Sequence, residues 1–307
     1  VNVLACVFFA AISGSSPATV AAIGSNMIPE MEKVGYKRRF SGALTASSGM
    51  IGVMIPPSIP FIIYGVTAEV SIGKLFLAGV IPGILFAMMF MLVARILLRN
   101  DVTVHGSTTT FSGAGVWESF RTSIWALLVP GIILGGIYGG IMTPTEAAGV
   151  AVIYAIPIGF LVYRGLTFSI FYESLKQSSI TIGVVMVMIF TVLIASRFLI
   201  FEDIPGMAED LIYSISDNPI MIFLMLNLVM LLIGMLMDDI SGIILSASLL
   251  LPIAQGAGMD PIHFAAVLGV NLGMGNITPP TAPLLYLGAQ VTGVPVRKLI
   301  WPTLIFI

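Results

Sequence analysis

The residues able to do chemistry in this 307-residue chain are few and fall into four clusters. Two are proline-rich interruptions of apolar stretches: Pro56-Pro57-Ser58-Ile59-Pro60 and Thr278-Pro279-Pro280-Thr281-Ala282-Pro283. Each adjacent proline pair removes two backbone donors, so carbonyls one turn earlier lose their helical partners. If these stretches lie in a bilayer, the freed carbonyls need another partner. A dehydrated cation is suitable, because hard cations prefer oxygen ligands. Gly52 and Ile55, and Gly275 and Thr278, precede the two pairs by a turn or less, and their carbonyls are candidate cation ligands. For one such break a proline kink satisfied by Ser or Thr hydroxyls is the plainer reading. Two equivalent breaks, each paired with a polar tip, favour a site.

Those tips are the other two clusters. Ser13, Ser15, Ser16 and Thr19 crowd one of them, between apolar arms Val1 to Ile12 and Ala18 to Ile28. Their hydroxyls can accept a cation or donate to an anion. The second arm also presents a helix N-terminus, which favours a carboxylate. Ordinary N-capping by Ser16 or Thr19 explains the tip equally well. At the other tip Asp238 and Asp239 sit in an apolar context between the arms Pro219 to Leu236 and Ser241 to Gln255. Carboxylates at membrane depth are functional candidates, and one of the two also suits an N-cap. Asn271, Asn276 and Thr281 add polar atoms along the second interrupted stretch, and Ser47, Ser48 and Ser58 along the first.

Other polar residues have structural explanations. Thr143-Pro144-Thr145-Glu146 reads as a capping box with proline at the first helical position. Arg197 lies near the end of an apolar span, where it can snorkel or pair with Glu202 or Asp203. His105 and His263 have no metal-ligand neighbour at helical spacing, and the single cysteine, Cys6, excludes an internal disulfide or a cysteine cluster.

The elements that must hold these residues are apolar helices. The chain is 58% hydrophobic and only 9% charged, against about 25% charged in soluble domains. Plain spans are expected over Leu75 to Leu98, Thr122 to Met142, Glu146 to Tyr163 and Ser178 to Phe201. Interrupted spans cover Ser41 to Ala68 and Ile262 to Val291, a surface helix covers Pro205 to Ser216, and a final span starts near Leu299. Asp101 to Arg121 reads as a polar linker with a short surface helix. The plain spans approach the roughly 20 residues needed to cross hydrocarbon. The chain is expected to continue at both ends.

An internal repeat relates the two halves. At an offset of 223, Ser25 recurs as Ser248, Pro29 as Pro252, Gly35 as Gly258, Ala43 as Ala266 and Gly52 as Gly275. Pro56, Pro57 and Pro60 recur as Pro279, Pro280 and Pro283, and Gly65 as Gly288. Identity concentrates at Gly and Pro, which decide the backbone path. With the first hairpin opening to the cytoplasm, Lys33, Lys37, Arg38, Arg39, Arg95, Arg99, Arg121, Arg164, Lys176, Arg297 and Lys298 fall inside, leaving only Lys74 and Arg197 outside. Glu202, Asp203, Glu209, Asp210 and Asp217 fall outside. The second hairpin then opens oppositely to the first, as in the inverted repeats of secondary transporters.

These residues resemble a known family. Val1-Asn2-Val3-Leu4-Ala5 with Ile12-Ser13-Gly14-Ser15-Ser16 is similar to the first hairpin of TRAP (tripartite ATP-independent periplasmic) transporter large membrane subunits, the DctM type. So are Ile55-Pro56-Pro57-Ser58-Ile59-Pro60 with Tyr64-Gly65, and the run Gly139-Gly140-Ile141-Met142-Thr143-Pro144-Thr145-Glu146-Ala147-Ala148. Gly234-Met235 with Asp238, and Asn271 with Thr278-Pro279-Pro280, resemble its second hairpin and broken helix. Asp239-Ile240-Ser241, where many members have a Thr- or Pro-containing run, and Asn276 depart from that pattern and bear on the second cation site or the substrate.

The resemblance implies an all-α polytopic protein of the bacterial inner membrane, with inverted repeats of re-entrant hairpin and broken helix, working as a sodium-coupled elevator. It implies import of small organic anions such as C4-dicarboxylates or sialic acid, without catalytic residues or cofactor beyond Na+. Expected partners are a small DctQ-type membrane subunit, a periplasmic DctP-type binding protein, the carboxylate substrate and lipid. The expected sodium ligands are Ser15, Ser16, Gly52, Ile55, Asp238, Gly275 and Thr278. Substrate contacts are expected from Ser13, Thr19, Ser58, Asn271, Asn276 and Thr281. The expected division is residues 1–74 as first repeat core, 75–201 as scaffold with the linker 101–121, and 202–307 as second repeat core. An ion channel, or an intramembrane aspartyl or serine enzyme, is the alternative on a similar scaffold.

Overall fold

The computed structural model describes residues 1–99 and 112–307. These form helices joined by turns, with no strand among the described residues. They fall into two compact units, Val1–His105 with Ile189–Ile307, and Gly106–Met188.

The first hairpin consists of α1 (Asn2–Ser13) and α2 (Ser16–Lys33), turning at Gly14 with φ 61°. Ser15, not Ser16 or Thr19, caps α2, accepting from the Ala18 N–H. Helix α3 (Arg38–Gly49) runs into a 3₁₀ turn, Met50–Val53, and stops before the prolines; Ser58 then caps α4 (Ile59–Thr67). The long α5 (Ile72–Leu98) follows. In the other unit α6 (Gly113–Tyr138) packs on α7 (Pro144–Pro157), which a π-helical turn prolongs over Ile158–Val162. The Tyr154 hydroxyl donates to the Trp125 carbonyl (3.0 Å) and that of Tyr163 to Thr122 (3.0 Å), tying the end of α7 to α6. Then come α8 (Phe168–Phe201) and α9 (Ile204–Ile215). The second hairpin is α10 (Pro219–Leu236) with α11 (Asp239–Leu249) and α12 (Leu251–Gly256). Helices α13 (Pro261–Gly275), α14 (Pro283–Thr292) and α15 (Val296–Leu304) complete the chain.

Element boundaries recur at one offset. The second arms open at Ser16 and Asp239 and close at Lys33 and Gly256, and the next helices open at Arg38 and Pro261, each pair 223 residues apart. Gly35 and Gly258, between those elements, both have positive φ, 95° and 90°, a region open to glycine and strained for residues with a Cβ. Packing is reciprocal as well. Helices α2 and α3 lie against α14, while α11 and α13 lie against α4; α3 also meets α15, and α13 meets α5. Each second arm thus rests on the half-helix beyond the other break.

Five helices are long and apolar enough to cross a membrane: α5, α6, α7 with its π-helical turn, α8 and α10. Their outer faces carry large apolar side chains, such as Ile81, Leu92 and Ile96 on α5, an apolar surface far larger than a water-soluble monomer exposes.

Two boundaries differ from the sequence expectation. The linker expected over 101–121 lies partly outside the described residues, as does His105, but from Gly113 the chain is helical and continuous with the span expected from Thr122. Ser112 caps this helix through the Gly115 N–H (3.2 Å). Helix α8 opens at Phe168, ten residues before the expected Ser178. Its polar first turns include Glu173 and Lys176, paired at 3.7 Å, an i,i+3 spacing that supports a helix ahead of the apolar span. The capping box is present as expected: the Thr143 N–H donates to Glu146 Oε2 (2.8 Å) and the Glu146 N–H to Thr143 Oγ1 (3.3 Å).

Candidate functional site: two helix breaks against two hairpin tips

At the first break, the Gly14 carbonyl accepts from the Ile59 N–H (3.2 Å), which stitches the hairpin tip to the chain just past the prolines. A Cβ on Gly52 would stand 2.9 Å from Ser15 C and Ser16 N and 3.0 Å from Ser16 Cα. Glycine therefore allows the broken helix to touch the tip backbone, bringing Ser15, Ser16 and Gly52 together. Pro56 withholds the N–H that would serve the Gly52 carbonyl, and the nearby Ile55 N–H goes to Ile51 (2.9 Å). Pro57 leaves the Val53 carbonyl without its helical donor, and the Ser58 hydroxyl, fully buried, serves it instead. Ser58 is thereby committed to the break and to capping α4.

The hydroxyls of Ser16, Ser47 and Ser48 are buried with no hydrogen-bond partner among the described residues. A buried hydroxyl left unpaired costs about 1–3 kcal/mol. Ser16 lies against Gly52, and Ser47 and Ser48 stand five and four residues before it in the chain; hydroxyl and freed carbonyl oxygens of this kind suit a hard cation. Thr19 is different: its buried hydroxyl donates to the Ser15 carbonyl (2.9 Å) and lies 3.4 Å from Ser13 Oγ. Ser13 and Thr19 thus help to shape the tip.

At the second break the close contact is tighter. A Cβ on Gly275 would fall 2.2 Å from the Gly234 carbonyl carbon and 2.6 Å from its Cα, so α10 and α13 meet backbone to backbone. The Met235 carbonyl accepts both from the Thr281 N–H (3.2 Å) and from its hydroxyl (2.5 Å), again stitching tip to chain. The Leu284 N–H serves the Asn276 carbonyl (3.1 Å) and the Thr278 N–H serves that of Gly275 (2.9 Å). The Thr278 hydroxyl donates to Met274 (2.7 Å). Asp238 is the N-cap of α11, its Oδ2 accepting from Ile240 (3.0 Å) and Ser241 (3.3 Å). Asp239 accepts from Asn276 Nδ2. Asn271 faces elsewhere: its amide donates to Asn227 Oδ1 (2.6 Å) and to the Val267 carbonyl (2.9 Å).

The two breaks are neighbours. A Cβ on Gly273 would meet Met50 Cε at 3.1 Å and the Met50 carbonyl at 3.6 Å, and one on Gly269 would meet Val53 Cγ1 at 3.6 Å. The broken helices cross there. Residues 10–20, 47–62, 234–243 and 269–286, which build tips and breaks, contain no Lys, Arg or His, and their only charges are Asp238 and Asp239.

Sequence reasoning did not single out Asn227, and it named Tyr64, Asp239 and Asn276 without the contacts they make. A lone Asn inside the apolar run of α10 was the available signal for Asn227. Tyr64, fully buried, donates its hydroxyl to the Pro261 carbonyl (2.8 Å) and so ties α4 to the start of α13. No pattern local to α4 shows that contact.

Residues 1–307 match the family described as "Tripartite ATP-independent periplasmic transporter, DctM component". The chain is 42% identical over 298 residues to the isethionate TRAP transporter permease protein DctMQ of Oleidesulfovibrio alaskensis, covering 96% of this chain and 46% of that protein. It is 36% identical over 299 residues to the sialic acid TRAP transporter large permease protein SiaM of Vibrio cholerae, covering 97% and 70%. It is 39% identical over 293 residues to the C4-dicarboxylate TRAP transporter large permease protein DctM of Pseudomonas aeruginosa, covering 95% and 68%. The chain thus spans about half the length of the first relative and about two thirds of the other two.

Proposed function

We infer the function of this chain from its family: it belongs to the DctM components of the tripartite ATP-independent periplasmic transporters. These are multi-pass membrane permeases for organic acids, not enzymes. Within that family we propose that the chain is the core of a sodium-coupled importer of a small organic anion in the bacterial inner membrane. A periplasmic binding protein would deliver the anion, and a small membrane subunit would support the permease. The relatives' names, isethionate, sialic acid and C4-dicarboxylate, support an organic acid as substrate.

The observation that carries the sodium reading is the set of unpartnered buried hydroxyls, Ser16, Ser47 and Ser48, beside a break whose carbonyls have lost their donors. Ser15, Ser16, Gly52 and Ile55 would hold one ion; Asp238, Gly275 and Thr278 would hold the other through carboxylate and carbonyl oxygens. Bound sodium would supply the positive charge that these tips lack. Ser13 and the N-terminal turns of α2 and α11 would then orient an anion between the tips, because helix N-termini favour negative charge; Thr281 would hold the tip in place through its bonds to Met235.

Recurrence of element boundaries at 223 residues, reciprocal packing and the distribution of basic residues support inverted repeats. The interlocked tips and breaks would move as one body in an elevator cycle. The enzyme alternative has less support: Asp238 caps α11 while Asp239 turns to Asn276, so the two carboxylates do not share a proton-bridged geometry.

The test is uptake of isethionate, sialic acid and C4-dicarboxylates into proteoliposomes that contain the full permease, its small subunit and its binding protein. Uptake of one of them is expected to require an inward sodium gradient and to saturate with it. Equal uptake on potassium or a proton gradient alone overturns sodium coupling.

A further inference from the structure

We propose that Asp239 and Asn276 form a monovalent-cation site in the second hairpin, beside the Asp238, Gly275 and Thr278 oxygens assigned above and not among them. It extends the sodium reading and rests on it for the identity of the ion. Asn276 is 2% exposed. Its Nδ2 donates to Asp239 Oδ1, and its Oδ1 is buried without a partner among the described residues. The amide is thus held against a carboxylate while its own acceptor is unmet. A cation lodged beside the carboxylate would satisfy both oxygens, which a hydrogen bond between the two side chains does not.

Among the described residues the surroundings offer no other counter-charge. Between Phe198 and Val296 the chain has no Lys or Arg, and its one His, His263, lies on α13 thirteen residues before Asn276, about 20 Å along the helix. Helices α4, α10, α12 and α13, which pack against α11, likewise carry no Lys or Arg. The N-terminus of α11 stabilises one carboxylate, but Asp238 already takes its Ile240 and Ser241 N–H groups. Asp239 is therefore a half-buried carboxylate with one amide donor and, among the described residues, no basic partner. Removing a carboxylate from water is unfavourable unless it is paired. One carboxylate plus neutral oxygens suits a monovalent ion better than Mg²⁺, which demands a near-ideal octahedron and retains its water. The corresponding positions of the first repeat are Ser16 and Val53, so the site belongs to one hairpin only.

The experiment follows thermal unfolding of the purified full-length transporter as NaCl replaces choline chloride at constant ionic strength. Wild-type protein is expected to be stabilised by sodium. Asp239→Asn preserves size and a hydrogen bond to Asn276 but removes the charge. It is expected to raise the sodium concentration for half-maximal stabilisation by about tenfold or more, while in choline it melts no lower than wild type. Asn276→Asp is expected to do the reverse, melting lower in choline and gaining more from sodium. Unchanged sodium dependence in Asp239→Asn overturns the site, and so does an equal loss of stability in both salts, the signature of a hydrogen bond alone. If Asp239→Asn does not fold, Asn276→Asp decides, and no added sodium response from it overturns the site. Stabilisation by Ca²⁺ at lower concentration than by Na⁺ overturns the monovalent assignment. Transport fails separately: wild-type uptake indifferent to sodium overturns the coupling, whereas sodium-dependent wild-type uptake with an unaltered Asp239→Asn response overturns only this site.

Discussion

At the first break, Gly52 rests on the backbone of Ser15 and Ser16, and the buried hydroxyls of Ser16 and, earlier in the same segment, Ser47 and Ser48 have no partner among the described residues. At the second, Gly275 rests on Gly234, and the places of Ser16 and Val53 are taken by Asp239 and Asn276. Both breaks stop a helix with a proline pair, and both stitch the far side to the hairpin tip by one backbone hydrogen bond, Ile59 to Gly14 and Thr281 to Met235. What repeats is therefore the backbone path, set by residues that lack a Cβ or an N–H. What diverges is the chemistry, neutral hydroxyls on one side and carboxylates on the other. A neutral oxygen set gains a full positive charge when it takes a cation and so draws an anion. An acidic set becomes neutral at best. An anion held between the tips would therefore be attracted mainly by the first.

The test with the largest expected effect is all-or-none. With Cys6→Ala as background, Lys33→Cys should react with a membrane-impermeant thiol reagent only from the cytoplasmic side, and Asp217→Cys only from the periplasmic side. Labelling of both from one side breaks the inverted relation and, with it, the comparison of the breaks as equivalents.

Next come the two glycines. A Cβ at Gly275 would overlap the Gly234 backbone at 2.2 Å, where neither helix has a flexible side chain to give way, whereas at Gly52 the closest approach is 2.9 Å. Gly275→Ala should therefore force α10 and α13 apart, with overpacking that costs about 1–3 kcal/mol or more, and abolish uptake. Gly52→Ala also meets backbone but less closely, so it should fold, melt less far below wild type than Gly275→Ala and need several-fold more sodium for half-maximal transport. Thermal melts and sodium titrations of both variants check the order; the reverse order shows that the first contact is the more rigid.

The difference between the glycines also marks how far sequence reasoning reaches. Pro56-Pro57 and Pro279-Pro280 fix where the helices must stop, because a missing N–H acts locally. The capping box at Thr143 was legible for the same reason: both partners lie within one turn. That Gly52 touches Ser15–Ser16, while Gly275 touches the α10 backbone at Gly234, depends on how distant segments pack, and no local spacing carries it. Asn271 illustrates the limit. It reads as a site residue by type and position, but Asn227, 44 residues away, takes its amide. Thr19 reads as a free hydroxyl at a tip, yet the turn brings the Ser15 carbonyl within 2.9 Å of it.

Ser16→Ala should have a smaller effect and separates site from cap. The Ser16 hydroxyl makes no hydrogen bond that the substitution could lose. Removing an unsatisfied buried hydroxyl is neutral or favourable, so the melting temperature in choline should be unchanged or higher. The sodium concentration for half-maximal transport should rise by about fivefold, equivalent to about 1 kcal/mol. Loss of stability without a change in sodium dependence would make Ser16 a structural residue and leave the first break without its side-chain ligand.

The smallest effect is expected at Thr278. Its hydroxyl donates to the Met274 carbonyl at 2.7 Å, so it is engaged within the chain and is not available as a free oxygen. Thr278→Val keeps the branched shape and the backbone carbonyl. The Met274 carbonyl keeps the Ile277 N–H at 3.3 Å, so no buried acceptor is left wholly unpaired and the loss should be about 0.5–1 kcal/mol. Sodium dependence should not move, because at this break the oxygens offered to a cation come from the backbone and from carboxylates. The measurement is the same pair used for Ser16: melting in choline and half-maximal sodium for uptake. A shift in sodium dependence as large as that of Ser16→Ala would mean that the Thr278 hydroxyl leaves Met274 when the ion binds. The second break would then use a hydroxyl as the first does, and the chemical divergence between the halves would narrow to Asp239 and Asn276.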